Sequence, residues 1–185
     1  NSTFGGCSNN STMKKFFFIF VFFLILSLQS KAFSYDCKLD KIKIDSSYES
    51  MQLGPAFMVF NYHDDKTPAL VIGPIEALCG DSKETDGAII QLFFLENKLA
   101  RVIYETGVTN NRVLFKIAND FYKVGFRQDQ AKINNKENES YTVDKTNNFY
   151  YYANFKDGSN FLEFFEITSH KYGEKINKLE LEKEE

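Results

Sequence analysis

The chain has 185 residues, 43% of them hydrophobic and 25% charged, with a formal net charge of −3. That length and apolar content suit one domain with a real core. The acidic balance argues against non-specific nucleic-acid binding, which relies on a basic surface, and more weakly against a polybasic membrane-surface role.

Residues 1–12, rich in Asn, Ser, Thr and Gly, read as an upstream or disordered leader. Met13-Lys14-Lys15 opens an apolar run from Phe16 to Leu26, extended to Leu28 and followed by Ala32-Phe33-Ser34. A positive start, a short apolar middle and small residues at −3 and −1 are the order of a secretory signal peptide. The expectation is a signal over 13–34 with cleavage after Ser34, and export to a periplasmic or extracellular space. The run falls short of the roughly 20 residues that span a bilayer, so no stable membrane anchor is expected after cleavage. A retained anchor, a buried core helix and lipidation at Cys37 are the alternatives; Tyr35-Asp36 is a poor approach to a lipidated cysteine. Losing Lys14, Lys15 and Lys31 takes residues 35–185 to a net charge of about −6.

Cys37 and Cys79 remain after such a cut. An even count in an exported chain reads as one disulfide, closing a loop of about 43 residues and contributing about 4 kcal/mol in the chain-entropy picture. Two free thiols are the alternative. Cys37, His63, Cys79 and His170 lack zinc-finger spacing.

Taken in order, Lys41-Ile42-Lys43-Ile44 alternates like a short edge strand. Asp45-Ser46-Ser47 is set to cap a helical turn over 48–53, which Gly54-Pro55 ends. Residues 56–62 and 69–72 read as strands around a polar turn at 63–68, and Gly73-Pro74 reads as a break. Residues 75–79 form a helical turn or an extended piece, and 80–87 a surface loop. Residues 88–95 and 98–105 flank Glu96-Asn97 as a β-hairpin. Leu114, Ile117, Ala118, Phe121 and Val124 then mark one face of an amphipathic helix over 112–124, with Gly125 as its C-terminal stop. Polar composition makes 127–148 a flexible loop. A second hairpin pairs 149–155 with 160–167 across Asp157-Gly158. The tail from Ser169 is charged, with Tyr172, Ile176 and Leu179 placed to dock a last helical turn and 181–185 expected to fray. The expected fold is a single α+β domain over 35–185: an antiparallel sheet built from two β-hairpins, with one amphipathic helix packed on a face.

Few residues suggest chemistry. His63-Asp64-Asp65 is a weak metal or acid–base candidate through His63 and Asp65, because consecutive turn residues point apart. Ser169-His170 are neighbours in sequence, which is not how a catalytic pair meets. Glu163 and Glu166 face opposite sides of a strand. No nucleotide-binding glycine motif is present, and no cofactor is implied. The aromatic density of the second hairpin stands out. Tyr150 and Tyr152 share one face; Phe149, Tyr151 and Phe155 share the other. If Phe149's face is core, Tyr150 and Tyr152 form an exposed stripe for a partner or ligand; the alternative is that both faces are covered. The absence of Trp weakens a carbohydrate platform. These features point to an exported, non-catalytic binding protein with an unknown protein or small-molecule partner. The alternatives are a small hydrolase with a site assembled from scattered residues, and an envelope assembly or inhibitor protein that pairs through an edge strand at 41–44.

Overall fold

The chain folds as two antiparallel meanders laid side by side. The first comprises β1 (Met58–Tyr62), β2 (Pro68–Pro74), β3 (Ile89–Leu95) and β4 (Lys98–Thr106); the second comprises β5 (Lys132–Asn135), β6 (Asn138–Asp144), β7 (Asn148–Asp157) and β8 (Asn160–Ser169). β4 pairs with β8, so one sheet runs β1-β2-β3-β4-β8-β7-β6-β5, antiparallel throughout. Among the described residues four α-helical pieces accompany it: α1 (Tyr48–Met51), α2 (Glu76–Cys79), α3 (Val113–Lys116, continued by a π-helical turn over Ile117–Phe121) and α4 (His170–Glu184). This computed structural model describes residues 37–80, 85–107, 112–127, 132–135, 138–158 and 160–184. The expected leader over 1–12 and the expected signal segment over 13–34 lie outside them.

Both expected hairpins form, and their turns use the residues that signalled them. Glu96 and Asn97 take φ of 53° and 55°, the double left-handed geometry that twists a two-residue turn to match its strands. Gly158 supplies φ 61° after Asp157. The sheet is nonetheless larger than two hairpins. The segment read as a flexible loop over 127–148 contains β5 and β6, because Tyr141 and Val143 alternate onto Tyr152 and Tyr150 of β7. The pairing, rather than the strand's own apolar content, holds β6 in place. Gly73-Pro74 continues β2 instead of breaking it. A side chain at Gly73 would meet the Phe57 ring at 2.5 Å, so glycine is what lets Phe57 lie flat on the strand.

Residues 41–44 are not a strand. A 3-10 turn covers Leu39–Lys41, and Leu39 and Ile42 are both buried; their spacing suits a turn with one buried side. The predicted helix over 112–124 is shorter and wound more loosely at its end, yet its apolar positions Leu114, Ile117, Ala118 and Val124 are buried as expected. Asn119 closes it. Its Oδ1 accepts from the backbone of Gly125 (3.1 Å) and Phe126 (2.8 Å), and Gly125 sits at φ 85°. The charged tail forms α4, docked through Tyr172 and Ile176 beside Ala100 and Leu95. Among the described residues no helix is long and apolar enough to cross a membrane.

Cys37 and Cys79 are joined, with S–S 2.08 Å, and Lys38 N–H donates to Leu78 O beside the bond. The crosslink ties the start of the domain to α2. Replacing both cysteines by serine is expected to lower the unfolding free energy by about 2–4 kcal/mol, read as a lower urea midpoint. A midpoint equal to that of the native protein would show the bond to be energetically idle.

Candidate functional site

The two faces of the sheet differ in what covers them. On one face, Tyr104, Phe165, Tyr152 and Tyr141 lie opposite one another in a row across β4, β8, β7 and β6. Phe115 and Phe126, from α3 and the segment after it, close over this row. Phe115 meets the rings of Tyr152 and Tyr141 at 5.2 Å each, and Phe126 meets Phe165 at 6.2 Å. Tyr152 is 0% exposed and Tyr150 9%. The expected stripe of Tyr150 and Tyr152 is therefore buried core and not an exposed surface, because Phe115 of α3 and Phe126 after it pack over that face.

Glu163 lies in this core, 1% exposed. Tyr152 Oη donates to its Oε1 (2.7 Å) and Leu114 N–H to its Oε2 (3.1 Å), so one carboxylate fixes both a buried phenol and the first turn of α3. Burial raises the carboxyl above the ordinary glutamate range, against the opposing pull of Tyr152, the Leu114 and Val113 amides and Arg112. Burial, then Glu163, also pushes the Tyr152 phenol far up. Arg112 roofs the row. It sits 4.2 Å over the Phe115 ring, donates to Tyr141 Oη (3.0 Å) and pairs with Glu139 (2.9 Å). The sequence separates Glu163 and Glu166 by strand alternation, and the structure agrees. Which of them is buried depends on α3, which the strand pattern does not contain.

The other candidates do not assemble a reactive centre. His63 Nε2 contacts Phe94 O (2.8 Å), while Asp65 accepts from the amide and hydroxyl of Thr67; the two side chains serve separate backbone contacts. Among the described residues no three His, Cys, Asp or Glu side chains converge on one point. His170 finds a partner that sequence reading missed. Its Nε2 lies 2.7 Å from Asp144 Oδ1 and 3.0 Å from Lys145 O. Both are acceptors, so the ring proton sits on Nε2. With His170 N–H donating to Asn147 O (3.1 Å), the residue clasps the β6–β7 turn to the head of α4. The polar cleft of about 460 Å³ beside it contains Asp45 and Lys171, which pair with each other.

The opposite face of the sheet is open over much of its area. α4 covers one end, where Arg101 donates to Asn177 (3.3 Å) and Gly173 lies on Thr168. Beyond it, Ile72, Gln91, Ile103, Glu166 and Tyr151 form a half-buried row across five strands. At the far end Phe155 and Leu162 lie opposite each other across β7 and β8, 39% and 43% exposed. With Ile89, Glu105, Gly107 and Phe164 they border a cleft of about 420 Å³. Met58, Phe60 and Tyr62 on the edge strand β1 are also exposed, at 66%, 72% and 57%. β1, β2 and β3 contain no charged residue. Glu166 is paired with Arg101 (3.1 Å). Glu105 accepts from the Gln91 amide (3.1 Å), and no cation pairs with it among the described residues.

Comparison with known proteins gives no likeness: no family model, no curated protein and no solved structure matches the chain.

Folding favours the protonated form of Glu163. The stabilisation it brings is complete below the ordinary value of 4.5 and is lost as pH rises through the higher folded value. Urea midpoints measured from pH 4 upward are expected to fall with pH, and Glu163→Gln is expected to flatten that fall. An equal slope in the variant would assign it to other groups.

Proposed function

We propose that the chain is an exported, non-catalytic binding protein that takes its ligand on the open face of the sheet. The observation that carries this reading is the Phe155–Leu162 pair. Two large apolar side chains stand exposed side by side at the mouth of a cleft, although α4 shields the same face a few strand positions away. Contiguous exposed apolar surface of this kind marks binding sites more often than it occurs by chance on monomers. The Cys37–Cys79 bond suits an oxidising compartment, as export through the segment 13–34 requires.

Pairing through an edge strand is the second reading, and it moves from 41–44 to β1. Its support is the exposure of Met58, Phe60 and Tyr62. Against it, β1 has register shifts on both sides of Asn61, and the Asn61 side chain already accepts from Tyr62 N–H (2.8 Å). Bulges and self-capped amides are how proteins blunt an edge, which leaves Met58 to Phe60 as the stretch open to a partner strand.

A neutral apolar dye, N-phenyl-1-naphthylamine, tests the first reading. The native protein is expected to bind it with a micromolar Kd, and Leu162→Ser and Phe155→Ser each to weaken binding about tenfold with little change in Tm, because both residues are exposed. Undiminished binding in both variants would remove the cleft as the site. If edge pairing operates instead, Phe60→Lys abolishes the partner binding that Leu162→Ser leaves intact.

A further inference from the structure

We infer that the cleft bordered by Phe155 and Leu162 takes a small amphiphile with an apolar tail and one cationic head group, the head group paired with Glu105. The inference rests on the reading of the open face as a binding surface and adds the charge of the ligand. The cleft measures about 420 Å³, within the range of small-molecule sites. Its walls are apolar: Ile89 and Phe164 lie on either side of Glu105 in one cross-strand row, and Leu162 and Phe155 form the next. Leu162 leans over β4, with its Cδ2 3.5 Å from where a side chain at Gly107 would begin.

Glu105 is the feature that chooses among ligands. The other carboxylates nearby are already committed. Glu163 turns to the opposite face and is satisfied by Tyr152 and Leu114, and Glu166 holds Arg101 and the Thr168 hydroxyl. Glu105 holds one neutral amide, Gln91 Nε2, at 3.1 Å. A carboxylate accepts several hydrogen bonds, and in water solvent supplies the rest. A neutral apolar ligand that seals the cleft strips this water and strands the charge, at the cost of burying an unpaired ion. An anionic ligand adds repulsion to that cost. An alkylammonium restores both the charge balance and the hydrogen bonds, so the same residue attracts one class and rejects the other two.

Isothermal titration of the disulfide-bonded protein with decylamine, decanol and decanoate at pH 7 separates the possibilities. Decylamine is expected to bind about tenfold tighter than decanol, with decanoate weakest. Glu105→Gln keeps the side-chain shape and removes the charge, and is expected to bring decylamine and decanol within about twofold of each other, with decanol binding tighter and decylamine weaker than to the native protein. Decanol or decanoate binding as tightly as decylamine, or an amine preference that survives Glu105→Gln, would overturn the cationic head group while leaving the apolar site standing. Failure of all three to bind the native protein would instead overturn the reading of the open face.

Discussion

The pairing of β4 with β8 is the constraint on which the rest of the structure depends. Each meander is local in sequence, and this one ladder joins them. It places Val102 against Ile167, Tyr104 against Phe165 and Thr106 against Glu163. Because side chains alternate, a slip of one residue would turn one strand over relative to the other, so that either Tyr104 left the covered face for Glu105 or Phe165 left it for Glu166. The burial of Val102, Tyr104 and Phe165, each 0% exposed, fixes the register against that slip. The connection between the meanders runs through α3, so the segment that links them also covers the face their union creates.

That arrangement makes the two faces unequal. The covered face receives α3, the segment after it and the N-terminal turns, with Tyr48 edge-on to Phe94 at 5.8 Å. Among the described residues, the other face receives only α4. The helix is held at one end by Tyr172 Oη, which donates to Asp45 (2.9 Å), and by Lys175, which pairs with Glu96 (2.5 Å). These contacts fasten it beside the β3–β4 turn, while Phe155 and Leu162 lie at the opposite end of the strands. The openness of the cleft follows from where α4 is anchored and not from any peculiarity of the strands beneath it.

The same logic explains what could be read from the sequence. Features fixed by neighbouring residues were legible: the Glu96-Asn97 and Asp157-Gly158 turns, the Ser47 cap of α1, whose side chain accepts from Ser50 N–H at 3.3 Å, and the apolar side of α3. The disulfide was legible from the cysteine count together with the expectation of export. Features fixed by distant pairing were not. β5 and β6 look like a polar loop until β7 is placed beside them, and His170 meets Asp144 only through the fold. The second hairpin shows the boundary most clearly. Alternation correctly separates Tyr150 and Tyr152 from Phe149, Tyr151 and Phe155. It carries no information on which set α3 will cover, and the covered set is Tyr150 and Tyr152.

Glu105 and Glu163 make the functional consequence concrete. They stand on adjoining strands, one residue out of register, since Glu163 pairs with Thr106. One residue of offset sends them to opposite faces. On the covered face the fold surrounds the carboxylate with donors, because an unsatisfied acid there would oppose the packing of α3. On the open face it supplies a single amide, from Gln91. A purely structural surface has no need of a carboxylate among Ile89, Phe164, Leu162 and Phe155, where a neutral residue would pack against them without a charge to solvate. Under the proposed binding role its position has a use: water would solvate Glu105 in the empty cleft, and a ligand's own positive charge would replace that water in the filled one.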